Sequence, residues 1–243
     1  MIPSKYLVLN QILKASNNNL YISGQEIAQS LGLSRSAVNK AVSAIRSEGY
    51  DIDAINRKGY LITSDPNLIN PGELLGILPA KRLESVAILD TVNSTNVKLH
   101  ELAEEGALSG QIVIASCQTA GRGRAGSNFD SPDNKSIYAS YLIRPDFTLD
   151  PKTITPKVAQ IVAKSINEYL NTSAISYTDA GDLFLDDKKI CGILTEMLSE
   201  AGSGYVRYIM IGIGIRPINS IKRASLIASI IQSLDKTFLL ESE

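Results

Sequence analysis

The run Gln118-Thr119-Ala120-Gly121-Arg122-Gly123-Arg124-Ala125-Gly126 interleaves three glycines with two arginines, directly after a strand-like apolar run, Gln111 to Cys117. Glycine lets backbone approach a ligand closely and reach positive φ. Arginine adds a fixed charge and a planar fork that fits carboxylate or phosphate. A strand that empties into a cationic, glycine-rich loop therefore suits an anionic small molecule. The spacing is not that of a dinucleotide fingerprint, and no helix obviously follows. The plain alternative is a mobile surface loop with solvated arginines.

The N-terminal segment has a different logic. Leu7, Leu9, Ile12 and Leu13 give a first helix an apolar face, and Leu20-Tyr21-Ile22 reads as a short strand. Ser23-Gly24-Gln25-Glu26 is a capping-box pattern opening a second helix, with Ile27, Ala28 and Leu31 inward. Gly32-Leu33-Ser34 makes a tight turn, with Ser34 as the next N-cap. A third helix buries Val38, Val42 and Ile45 and shows Arg35, Ser36, Asn39, Lys40 and Ser43 on its other face. A hairpin from Gly49 to Ile62 follows, tipped by Asn56-Arg57-Lys58. These elements predict a winged helix-turn-helix over residues 1–64. Arg35, Ser36, Asn39 and Lys40 would read double-stranded DNA, with Arg57 and Lys58 on phosphate or minor groove. A protein-docking role for the same helices is the alternative.

Charge agrees with this division. Residues 1–64 carry seven basic and four acidic side chains, so they hold +3 of a total of −1 and the remainder holds −4. A basic small domain joined to an acidic larger one fits a nucleic-acid reader coupled to another function. Thr63 to Pro71, with two prolines, reads as a linker. Residues 65–243 then alternate groups of strands (85–89, 111–117, 136–143, and 183–198 and 205–213 around an Asp186-Asp187 turn) with helices, including 157–170 and 220–234. That order argues an α+β mixed sheet. Ser94 reads as the cap of a helix ending near Gly106.

Composition excludes several chemistries. The single histidine, His100, makes a His-based triad or multi-histidine metal site improbable, so no metal site is expected. Cys117 and Cys191 sit in separate apolar runs and read as buried free thiols of a reducing, cytoplasmic protein. No run is long enough to span a bilayer, and the N-terminus lacks a leader pattern.

Four ordered motifs carry a family resemblance. Gln118–Arg124 resembles the ligand loop of bacterial biotin protein ligases of the bifunctional, biotin-operon-repressor kind. Asp90 to Asn96 is similar to that family's aspartate-to-Ser-Thr-Asn segment. Asp187 to Glu196 is similar to its lysine-glycine-glutamate strand, and Ile211-Gly212-Ile213-Gly214-Ile215 to its late glycine strand. By resemblance, Ser94, Thr95, Asn96 and Gln118 would contact biotin. Gly121, Arg122 and Arg124 would hold carboxylate and phosphate. Lys189 would neutralise the acyl-phosphate, and Gly192 would leave room beside it. Lys189 and Arg124 would be the catalytic residues of an active enzyme, which would also use ATP and magnesium and a biotin carboxyl carrier protein. A homodimer on operator DNA is implied as well.

The chain departs from that pattern. The family's Lys-Trp-Pro-Asn-Asp reads here Thr178-Asp179-Ala180-Gly181-Asp182, and Asp182 has no evident role beyond a turn. Arg216-Pro217 stands where an asparagine is expected. The later basic positions of the glycine loop are Ala125 and Ser127, and the adenine-stacking aromatic is Phe129 rather than tryptophan. The loop that closes over the adenylate is missing. A chain end at Glu243 predicts a ligase-like domain without the usual small C-terminal β-barrel. Positions facing the acyl ligand are kept and those for ATP, metal and adenine are eroded. That unevenness predicts a repressor-type regulator sensing biotin or biotinyl-5'-adenylate, with ligase activity weak or lost. An active bifunctional ligase and repressor, or a regulator of another carboxylated metabolite, are the alternatives.

Overall fold

The computed structural model describes residues 2–131, 135–145, 150–200, 202 and 205–239. Two compact units divide at Glu84 and Ser85.

In the first unit, α1 (Ser4–Ser16), α2 (Gly24–Leu31) and α3 (Arg35–Ser47) precede a hairpin of β1 (Asp51–Ile55) and β2 (Gly59–Ser64). The capping box forms: Ser23 Oγ accepts from the Glu26 amide at 3.1 Å, and Glu26 accepts from the Ser23 amide at 2.9 Å. Gly32, at φ 63°, turns the chain out of α2, and Ser34 caps α3. The three helices converge on Val8, Leu9, Ile12, Ile27, Val38 and Ile45, all fully buried. The strand expected at Leu20–Ile22 reduces to a single bridge, Ile22 with Tyr60. That bridge ties the start of α2 to the wing.

This unit extends past residue 64, the boundary expected from sequence. Residues 65–84, including α4 (Pro71–Leu74) and α5 (Ala80–Leu83), pack on it. Asn10 donates to the Gly72 carbonyl at 3.1 Å, Asn70 to the Tyr50 hydroxyl at 2.9 Å, and that hydroxyl to Glu73 at 2.9 Å. Leu74 is fully buried. The polar, proline-containing stretch that suggests a linker leaves β2 at Ser64 and runs to the Asn70 cap of α4, a short helix that packs on α1.

The second unit is a seven-stranded mixed sheet in the order β3-β4-β5-β9-β8-β7-β6. Its strands are β3 (Val86–Val92), β4 (Ile112–Gln118), β5 (Ile137–Ile143), β6 (Ser176–Tyr177), β7 (Asp182–Leu185), β8 (Lys188–Ser199) and β9 (Val206–Ile215). Only β3 and β4 are parallel, which requires a crossover, and α6 (Thr95–Glu104) supplies it. Strand side chains alternate faces. Leu142 joins Leu99 and Ala103 of α6 in one apolar cluster with Val113, Tyr208 and Met210. Tyr141, one residue away, donates instead to Asp235 of α8 (Arg223–Phe238). So α6 covers one face, and α8 covers the other together with α7 (Ile154–Leu170). By the same alternation Ser140, Gly212 and Gly214 face α6.

Cys191 is buried, which pushes its thiol pKa up, and Cys117 is half-buried; both are free. His100, half-buried on α6, lies 2.6 Å from the Tyr208 hydroxyl. Among the described residues, no helix is long and apolar enough to cross a membrane.

Candidate functional site

A cavity of about 410 Å³ opens in the second unit where the start of α6 meets the ends of β4, β8 and β9. That volume suits a small organic ligand. Ser94, Thr95, Asn96, Gln118, Arg122, Arg124, Lys189 and Gly192 all line it. The fold thus brings together eight of the nine ligand residues expected from sequence. Gly121 is buried just behind the wall: a Cβ there would meet the Phe129 carbonyl at 2.2 Å.

The Ser-Thr-Asn segment divides into one free group and two braced ones. Ser94 precedes α6 but makes no side-chain cap, contrary to the sequence expectation. Gln118 supplies that service from β4, its Oε1 accepting from the Thr95 amide at 2.8 Å, while its Nε2 donates to Ser131 at 2.9 Å. Ser94 is only 3 % exposed, and its hydroxyl has no hydrogen bond among the described residues. It is a polar group on the cavity wall. Thr95 and Asn96 are committed to the protein. Ser140 Oγ is bonded to Thr95 Oγ1 at 2.7 Å and to Asn96 Oδ1 at 2.5 Å, and Asn96 Nδ2 donates to Glu196 at 2.6 Å. Sequence reasoning missed Ser140 and Glu196 as supports. Glu196 was within reach, since a period of two from Gly192 puts it on the pocket face.

A second brace spans the opposite end. Asp182 takes Arg124 Nη2 at 2.5 Å and Lys189 Nζ at 2.7 Å, and Arg124 also donates to the Ala180 carbonyl. The two cations expected to face the ligand therefore grip a carboxylate of the same chain. Partial burial alone would raise the Asp182 pKa. Hydrogen bonds and charge from Lys189 and Arg124 outweigh it and hold the carboxyl below its usual range. A depressed folded-state pKa contributes stability that is present above the unfolded value, about 3.9, and is lost as pH falls through the folded one. Acid titration of the urea midpoint should therefore show a loss below about pH 4 that Asp182→Asn makes shallower. An identical acid slope in that variant would contradict the brace.

Two glycines of β9 make close approach possible. A Cβ on Gly212 would stand 2.8 Å from Asn96 Oδ1, and one on Gly214 would stand 2.4 Å from Phe129 Cζ. Gly192, paired with Gly214 across the strands, also faces the Phe129 ring. Phe129 thus rests on a glycine floor, edge-on to Tyr138.

In the first unit, Arg35, Ser36, Asn39 and Lys40 are exposed along one side of α3, and Arg57 and Lys58 are exposed at the hairpin tip. The Tyr60 hydroxyl donates to Asn39 Oδ1 at 2.6 Å, linking wing and helix. Lys58 lies 5.9 Å from the Tyr21 ring centroid.

A profile described as the biotin/lipoate A/B protein ligase family matches residues 88–215. The chain belongs to that family. A helix-turn-helix domain profile matches residues 8–61. The bifunctional ligase/repressor BirA of Bacillus subtilis (strain 168) is 36% identical over 201 residues, covering 81% of this chain and 60% of the relative. Its counterpart from Escherichia coli (strain K12) is 33% identical over 198 residues, covering 82% and 60%. The chain spans about 60% of the length of these curated relatives. A biotin protein ligase from Aquifex aeolicus, solved with biotin and ATP, shares the fold at TM-score 0.53 and 21% identity, over 63% of this chain and 70% of that one.

The segment Thr178–Asp182, where the resemblance leads one to expect Lys-Trp-Pro-Asn-Asp, forms a tight turn closed by the Gly181 amide on the Thr178 carbonyl at 2.9 Å. Gly181 is buried at φ 90°, and a Cβ there would stand 2.9 Å from both Ile193 and Thr155. An asparagine does not fit that position as it stands. Among the described residues, no group of three or more His, Cys, Asp or Glu side chains could hold a metal ion.

Proposed function

We propose that the chain is a ligand-responsive DNA-binding regulator, of repressor type. It senses biotin or biotinyl-5'-adenylate through its ligase-family domain. The observation that carries this reading is the split within one pocket. At the acyl end the Ser94 hydroxyl, on a braced wall, makes no hydrogen bond among the described residues and lines the cavity. At the other end Asp182 grips both Arg124 and Lys189, and Gly181 closes the turn. Binding needs complementarity to one ground state, whereas catalysis needs additional contacts to developing charge. Ligation to a carrier protein is therefore the weaker function here. With both Asp182 oxygens engaged, that carboxylate is a poor partner for the magnesium that an ATP-using ligase would require.

The retention of Arg124, Lys189 and Gly192 in the cavity supports a second reading, an active bifunctional ligase and repressor acting on a biotin carboxyl carrier protein. A pocket that takes another carboxylated metabolite is a third.

One winged helix has a small footprint, and two-fold symmetric operators are read by dimers. The regulator is expected to act as a homodimer on DNA in the cytoplasm. Sedimentation with biotin and a symmetric duplex, recovered from a random pool by the full chain, should give two chains per duplex. One chain per duplex at all concentrations, with or without biotin, would contradict the dimer.

A further inference from the structure

The cavity is lined by six charged side chains: Arg122, Arg124, Lys189 and Arg216 against Asp130 and Asp182. These cations are not equivalent. Arg124 and Lys189 both hold Asp182, at 2.5 and 2.7 Å. Arg122 and Arg216 make no ion pair among the described residues, so their charge is available to a ligand.

The register of the sheet places that charge. Gly192 pairs with Gly214 and Cys191 with Ile215, and the Arg216 amide donates to the Ile190 carbonyl at 2.8 Å. Arg216 therefore stands on the outermost rung of the pocket, level with Lys189–Ile190. The inner end is set by Asn96 over Gly212. Gly212 and Arg216 are four residue steps apart, a span of roughly 13–14 Å in extended strand. On the outer rung Lys189 is spent on Asp182, and Arg216 holds the unspent charge.

We propose that Arg216 is a specificity-determining residue that favours a ligand carrying its anion beyond the acyl carbon, a phosphate-bearing acyl-adenylate, over the free acid, without a metal ion. This inference rests on the sensor reading above. A free acid carries its one negative charge on the terminal carboxylate. An acyl-adenylate has no charge at the acyl carbon and one on the adjoining phosphate, which the Arg216 guanidinium can meet as a fork.

Calorimetry on the full chain with biotin and with biotinyl-5'-adenylate, in EDTA and then in magnesium, tests it. In the wild-type protein adenylate affinity is expected to be the same in both buffers. Arg216→Asn should weaken adenylate binding about tenfold or more and biotin binding less than about threefold, and Arg216→Lys, which keeps the charge but not the fork, should recover only part of the loss. Wild-type binding of both ligands with equal losses in Arg216→Asn, with no loss, or with a strict magnesium requirement would overturn the role of Arg216 alone. Wild-type binding of neither ligand would overturn the sensor reading, and this inference with it.

Discussion

Removing residues 1–84 is expected to abolish sequence-specific DNA binding while leaving ligand binding by the remaining chain intact. Specific sites are bound roughly 10³–10⁷-fold more tightly than non-specific DNA, so the loss should be visible in any selection from a random duplex pool. The cut belongs at Glu84 and not at residue 64. A fragment starting at 65 would carry Leu74, Asn70 and Glu73 without the α1 and Tyr50 surfaces they pack on. Within the first unit, Asn39→Ala or Lys40→Ala should cost about 1–3 kcal/mol at one base position if that side chain reads a base edge. Arg57→Ala and Lys58→Ala should weaken all sequences alike and flatten the salt dependence. DNA binding that survives deletion of residues 1–84 would overturn the assignment.

Gly212→Ala should abolish most ligand binding without touching any ligand. Its Cβ would stand 2.8 Å from Asn96 Oδ1 and 3.2 Å from Asn96 Nδ2. Asn96 has no room to yield, being held on one side by Ser140 and on the other by Glu196. Displacing it leaves the half-buried Glu196 carboxylate without its Asn96 partner, at about 1–3 kcal/mol, and leaves Ser140 with its Thr95 bond alone. The wall that positions Ser94 then loses its support. We expect at least a tenfold loss of biotin or adenylate affinity, about 1.4 kcal/mol, in calorimetry. Wild-type affinity in Gly212→Ala would show that the network does not organise the pocket.

Local features were the most legible in the sequence. The capping box at Ser23 and Glu26, the Gly32 stop and the apolar faces of α1 to α3 depend on neighbours within a few residues, and all form. Most of the strand and helix order of the second unit was also readable from periodicity, but the two-residue β6 was not, and the run 183–198 is two antiparallel strands, β7 and β8, on either side of Asp186-Asp187. What spacing could not reveal is which partner a polar side chain chooses. Asn96 meets Glu196 across 100 positions, and Arg124 meets Asp182 across 58. Ser94 has the identity and position of a cap, but Gln118, 24 positions away, occupies that role through the Thr95 amide. Arg124 and Lys189 were readable as pocket residues and not as the two arms of one ion-paired brace. The polar stretch after residue 64 looked like a linker because composition does not record that Tyr50 and Asn10 wait for its hydrogen bonds.

The central claim is that this ligase-family domain binds its ligand better than it transfers it. The most direct measurement incubates the full chain with labelled biotin, ATP, magnesium and a biotin carboxyl carrier domain, beside an intact ligase, while binding is measured on the same preparation. The account predicts measurable binding of biotin or biotinyl-5'-adenylate and little label on the carrier lysine, because the charges that would serve the transition state are held by Asp182. Label transfer at a rate comparable to the intact ligase would contradict it and establish the bifunctional enzyme.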